Sequence, residues 1–210
     1  QYFKQPGECQ PHPGNLNLSL AWFQQAHDTA QFKPEISAPL KPGNIKTSTQ
    51  TWLEDIAESL ALMGAFLNVA HPELYAAGRK AFLKLIEKPD MVKDGEEHAV
   101  LALLQFWTIP FSGYSLISDG CIPFHRDNNS QGSWFNFLTT IGEYESGSRL
   151  ILKNLQMELK YNSGTMVALL GKLVRHGTTE FRGNWICIAQ YMRDNVLNQF
   201  GIQSPQWMTA

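Results

Sequence analysis

The hydrophobic period changes once along this chain, and that change limits the folds open to it. From about residue 50 to 108 apolar residues recur at helical spacing. From about 110 to 196 they fall in short β-branched and aromatic runs separated by Gly, Asp, Asn or Ser. Helices first and strands after is an α+β order. In the first half Trp52, Ile56, Leu60, Met63, Phe66 and Leu67 form one helical face, with Thr51 and Glu54 as a T-x-x-E capping box before it. Pro72 suits the first position of a second helix, whose inner side reads as Leu74, Ala77, Ala81, Leu83 and Leu85. "EEHAVLALLQFW" predicts a third helix. In the second half "YSLIS", "CIPFH", "WFNFLTTIG", "SRLILKNL", "QMELKY", "TMVALLG" and "NWICIAQYMR" predict strands of a sandwich or barrel. Residues 1–47, rich in Pro, Gln, Gly and Asn, read as an irregular N-terminal arm. Residues 48–210 read as a single domain, with helices over 50–108 and the β part over 110–196.

At 210 residues and 43% hydrophobic, the chain can bury a sizeable core. Its formal charge of −2 provides no global attraction to a polyanion, so a nucleic-acid partner would need a local basic patch. Arg126, Lys153, Lys160, Lys172, Arg175 and Arg182 are the candidates. Cys9, Cys121 and Cys187 form no CxxC pair, which argues against a zinc ribbon and for reduced thiols in an intracellular protein. A single disulfide with Cys9 stays open. No apolar run is long enough to cross a membrane, and "QYFKQPGECQ" does not read as a signal peptide.

Chemistry concentrates in "PFHRDNNS". His125 and Asp127 are two apart near a strand end, so their side chains share one side. His176, in "GKLVRHGTTE", also sits where a strand meets a loop. Two His and one carboxylate on one side of an ion make the facial triad of non-haem Fe(II) oxygenases. Asn128 and Asn129 are candidates to orient Asp127, or simply form the turn. Trp134 and Phe135 line a substrate slot or belong to the core. His12, His27, His71 and His98 show no partner pattern.

The order HxD, then "GSRL", then "NSGTMVALLGKLVRHG" resembles the double-stranded β-helix of Fe(II)/2-oxoglutarate dioxygenases. More narrowly, "HPELYAAGRKAF", "SLISDGCIPFHRDNNS" and "LVRHGTT…ICIAQYMRDNV" resemble fungal proteins of the TET/J-binding-protein group, over about residues 70–196. The resemblance implies a jelly roll with an N-terminal helical layer. It implies Fe(II) on His125, Asp127 and His176, a small-molecule cosubstrate (2-oxoglutarate), and hydroxylation of a C–H bond such as the methyl group of a methylated nucleobase. It implies a polar contact from Tyr114 to the cosubstrate. It also implies an inward Arg for the far carboxylate of 2-oxoglutarate, and at that position this chain has Trp185. Arg193, Arg182 and Arg175 are the cations left for the task. A relocated Arg, a different cosubstrate, or a fold that keeps the metal without the reaction all follow from that departure. The last is the rival reading: a non-catalytic metal- or ligand-binding protein, for defence or storage.

Overall fold

The computed structural model describes residues 2–3, 13–24, 27, 31–41, 48–118 and 120–208. The chain divides into two compact units, Gln1–Leu16 with Tyr114–Tyr191, and Asn17–Gly113 with Met192–Ala210. Cys9 and His12, with the rest of residues 4–12, lie outside the described residues.

The second of these units is helical: α1 (Ser48–Ala70), α2 (Pro72–Glu87), α3 (Glu97–Leu104) and α4 (Asp194–Gln199). Thr51 and Glu54 lie inside α1, so the helix begins before the predicted capping box. The residues α1 buries are Leu53, Leu60, Gly64 and Leu67, while Phe66 is exposed. α2 begins at Pro72 as predicted, and His71 caps it by accepting the Leu74 N–H on Nδ1 at 3.3 Å. Its buried side carries Phe82, and Leu83 points to solvent. Two adjacent apolar residues sat at the edge of the stripe, and packing rather than period chose between them.

The other unit is built from strands: β1 (Tyr2–Phe3), β2 (Gly14–Ser19), β3 (Gly113–Ser118), β4 (Gly120–Cys121), β5 (Asn136–Tyr144), β6 (Arg149–Leu152), β7 (Met157–Lys160), β8 (Met166–Leu169), β9 (His176–Thr178) and β10 (Gly183–Tyr191). β2 and β3 are counted here although their outer residues belong to the helical unit. A larger sheet has the order β2-β3-β10-β5-β8 and a smaller one β7-β6-β9, with β1 and β4 as a separate pair. The long β5/β10 ladder is antiparallel, with Trp185 opposite Gly142 and Cys187 opposite Thr140. Leu138, Leu169, Trp185 and Cys187 of the larger sheet share one buried cluster with Leu150 and Leu152 of the smaller. Tyr161, Val174 and Phe181 complete it. Two antiparallel sheets closing over a common apolar core are a jelly roll, and the chain has the expected α+β double-stranded β-helix architecture.

Candidate metal centre

Residues 122–125 run antiparallel beside β9. The His125 N–H donates to the His176 carbonyl at 2.9 Å, and the His176 N–H returns to the His125 carbonyl at 3.0 Å. Thr178 N–H reaches the Ile122 carbonyl at 2.9 Å. Residues paired in this way project to the same face, and the two imidazole centroids are 4.4 Å apart. On its other side β9 pairs with β6, so His176 stands opposite Leu152, a member of the core cluster. Both histidines therefore occupy the inner face of the smaller sheet. Gly177 lets the neighbouring segment pass: a Cβ there would lie 2.9 Å from the Ile122 carbonyl oxygen and 3.1 Å from the Phe124 nitrogen.

Asp127 is held from three directions. Its N–H donates to the Gly171 carbonyl at 2.9 Å. Asn136 Nδ2 donates to Oδ2 at 2.6 Å, and the Asn136 Oδ1 accepts from Ser130 Oγ at 3.1 Å. The Ser130 N–H closes the ring on the Asp127 carbonyl at 3.0 Å. Gly171 leaves room for the carboxylate, because a Cβ there would fall 2.0 Å from Asp127 Oδ2.

The three side chains converge. His125 Nε2 is 3.3 Å from Asp127 Oδ1, and His176 Nε2 is 4.0 Å from Oδ2. A first-row ion sits about 2.0–2.2 Å from such donors, so any two of them lie within roughly 4.4 Å of each other. Both separations meet that condition. The rings are also set in the correct sense. His125 Nδ1 is 2.9 Å from the Pro123 carbonyl, and His176 Nδ1 is 2.9 Å from the Val174 carbonyl. A carbonyl only accepts, so each Nδ1 carries a proton and each ring turns its Nε2 toward the carboxylate, where it can take either a proton or a metal ion. Converging lone pairs repel unless a cation lies among them, and two imidazoles with one carboxylate suit Fe(II). Without an ion, the hydrogen bond to Asp127 raises the His125 pKa above its ordinary value. Burial lowers that of His176. Burial acts to raise the Asp127 carboxyl, but hydrogen bonds from His125 and Asn136 and the His176 charge outweigh it, leaving the group below its usual range. The site is thus poised around an anionic oxygen pair.

The family model Tet_JBP, the oxygenase domain of the 2OGFeDO superfamily, matches residues 19–194. The chain belongs to this family. Among solved structures, NgTET1 in complex with 5mC DNA is similar with a TM-score of 0.53 at 10% identity, over 87% of this chain and 61% of that one. Such a likeness supports the fold, and the chain spans about three fifths of NgTET1's length. No curated protein matches the chain in sequence.

Within this Tet_JBP domain the other expected site residues lie on or near β3, β9 and β10. Tyr114 is fully buried on β3, and burial pushes its phenol pKa well up. Trp185 is fully buried on β10 and stacks on Phe181, with centroids 4.1 Å apart and planes 14° from parallel. Arg182 is exposed just before β10, where its carbonyl accepts the Glu145 N–H at 2.8 Å. Arg175 is exposed beside His176. Arg193 belongs to the helical unit, its N–H donating to Ser112 Oγ at 3.1 Å. Trp134 is core, and Asn128 and Asn129 are exposed in the turn after Asp127. Asn136 takes the orienting position that sequence reasoning gave to those two. The signal that could have found it is an Asn inside the apolar strand "WFNFLTT", where a buried amide needs a partner.

Proposed function

We propose that the chain is an Fe(II)-dependent oxygenase that hydroxylates a C–H bond with a 2-oxo acid as cosubstrate. The observation that carries this is the convergence of His125 Nε2, His176 Nε2 and the Asp127 carboxylate, with each imidazole proton committed to a backbone carbonyl. Iron bound there would supply oxygen activation. The protein's own part is to fix two lone pairs and one carboxylate on one side of the ion. His176 is buried and His125 is partly open, so the pair joins the apolar core to the solvent side.

Beside His125, Phe124 is partly exposed, with Lys153 Nζ 5.0 Å and Arg175 Cζ 5.9 Å from its ring centroid. Arg126 Nε donates to the Leu173 carbonyl at 3.1 Å. Guanidinium and ammonium groups gathered over an exposed ring make a local positive patch that can neutralise phosphate. This favours a nucleic-acid substrate carrying a methylated base, a reading that the 5mC DNA in the NgTET1 complex also supports. To test it, the Fe(II)-loaded protein is incubated with a 5-methylcytosine oligonucleotide, oxygen and a panel of 2-oxo acids. Mass spectrometry should find the base one oxygen heavier, and the Asp127→Ala variant should produce none. An unmodified base with every cosubstrate would remove the nucleobase reading. The packing of Trp185 favours a second reading, a ligand-binding protein of the same fold, whose mark would be metal binding without turnover of any 2-oxo acid.

A further inference from the structure

We infer that the cosubstrate of this domain is a 2-oxo monocarboxylate with an apolar tail, and that 2-oxoglutarate does not fit. The inference rests on the metal reading above and concerns the second partner of that site. The inner face on which the histidines stand carries no cation among the described residues of the strand unit. Its lysines and arginines are Arg126, Arg149, Lys153, Lys160, Lys172, Arg175 and Arg182. Six of these are exposed. Arg149 alternates with the inward Leu150 and Leu152, so it faces outward. What does line the core next to the site is hydrocarbon. Leu152 stands opposite His176, Val174 accepts the His176 Nδ1 proton, and both share a cluster with Trp185, Phe181, Tyr161 and Leu150.

Charge points the same way. Fe(II) with two neutral imidazoles and one carboxylate keeps one net positive charge. A 2-oxo acid chelating through its carboxylate and keto oxygens brings one negative charge, and the complex is neutral. 2-Oxoglutarate brings a second carboxylate. Directed into this core it would lose its hydration with no guanidinium or ammonium to replace it, which is strongly unfavourable. A tail without a second charge avoids that cost, and Leu152 and Val174 beside His176 would give it an apolar neighbour. The reaction stays balanced: oxidative decarboxylation of the 2-oxo acid gives carbon dioxide and the acid one carbon shorter, one oxygen atom entering that acid and the other the substrate C–H bond.

The test is an anaerobic titration of the Fe(II)-loaded full chain with 4-methyl-2-oxopentanoate, phenylpyruvate and 2-oxoglutarate in turn, following the visible charge-transfer band of the chelate, with calorimetry in parallel. At least one apolar acid should bind about tenfold or more tightly than 2-oxoglutarate. In Trp185→Arg the order should reverse. That variant places a charge in the core, so the comparison of acids on the unaltered protein stands alone if it does not fold. Equal or tighter binding of 2-oxoglutarate by the unaltered protein would overturn the inference, and its loss in Arg193→Ala would identify the cation responsible. Iron bound with no band from any of the acids would also overturn it while leaving the metal site standing. Failure to bind iron would instead be the failure of the metal reading.

Discussion

Gly171 shows how closely the residues around the centre are fitted to one carboxylate. Its missing side chain is the space that Asp127 Oδ2 occupies. Gly171→Ala should therefore displace the carboxylate and weaken Fe(II) binding by ten- to a hundredfold or more, with the circular dichroism spectrum of the fold retained. Asn136 acts at the same oxygen through its 2.6 Å hydrogen bond. Asn136→Ala removes the donor that orients Asp127, and the expected loss in metal affinity is about 10–100-fold, read by competition with a chromophoric chelator. The convergence of His125 with Asp127 was legible because two-residue spacing implies a shared side, and His176 was a candidate because it too lies where a strand meets a loop. The contacts of Gly171 and Asn136 with Asp127 were not legible, because they depend on which loop crosses which strand; the Asn within an apolar strand signals that it needs a partner but not which one.

At the level of elements, the strands were readable and their exact partners were not. "CIPFH" forms β4 and then a single bridge at His125 rather than one continuous strand, because Pro123 has no N–H to give a ladder. Helix α4 went unread because "DNVLNQ" is a short and mostly polar segment. Another element shows what sequence cannot reveal at all. Before α1, Glu35 pairs in an isolated bridge with Trp22. Its buried carboxylate accepts from Gln24 and Lys41, and from Lys93 at 3.2 Å. Lys41 also reaches Glu96 at 3.0 Å, and the Ile36 N–H donates to Glu96 at 2.6 Å. Burial acts to raise the Glu35 pKa, but these hydrogen bonds and the Lys41 charge outweigh it and hold it below the ordinary value of 4.5. A depressed carboxylate contributes stability that is present above its unfolded pKa and is lost as pH falls through the folded one. The helical unit should thus lose stability below about pH 4.5, and Glu35→Gln should flatten that acid limb while lowering stability at neutral pH. An unchanged acid limb in urea denaturation of the variant would contradict this.

For the whole molecule, the change of hydrophobic period located the helical and β portions well, and contacts group the chain into two compact units. Asn17–Gly113 joins Met192–Ala210 in one compact unit, and Gln1–Leu16 joins Tyr114–Tyr191 in the other. Such interleaving is a property of topology, which no local periodicity encodes. No helix among the described residues is long and apolar enough to cross a membrane. The three candidate ligands come from two segments far apart in sequence, so an ion should clamp them in the native state and not in the unfolded chain. Metal at a hundred times its Kd should then stabilise the protein by about 2.7 kcal/mol. Thermal melts with and without Mn(II), an air-stable substitute, should show a rise in Tm that Asp127→Ala abolishes.

The most direct test of the triad itself is anaerobic calorimetric titration of Fe(II) into the protein and into Asp127→Ala. One equivalent of ion binding to the protein, with affinity falling by at least about a hundredfold in the variant, is the predicted result. Equal affinity in the two proteins would mean that His125, Asp127 and His176 do not hold the metal.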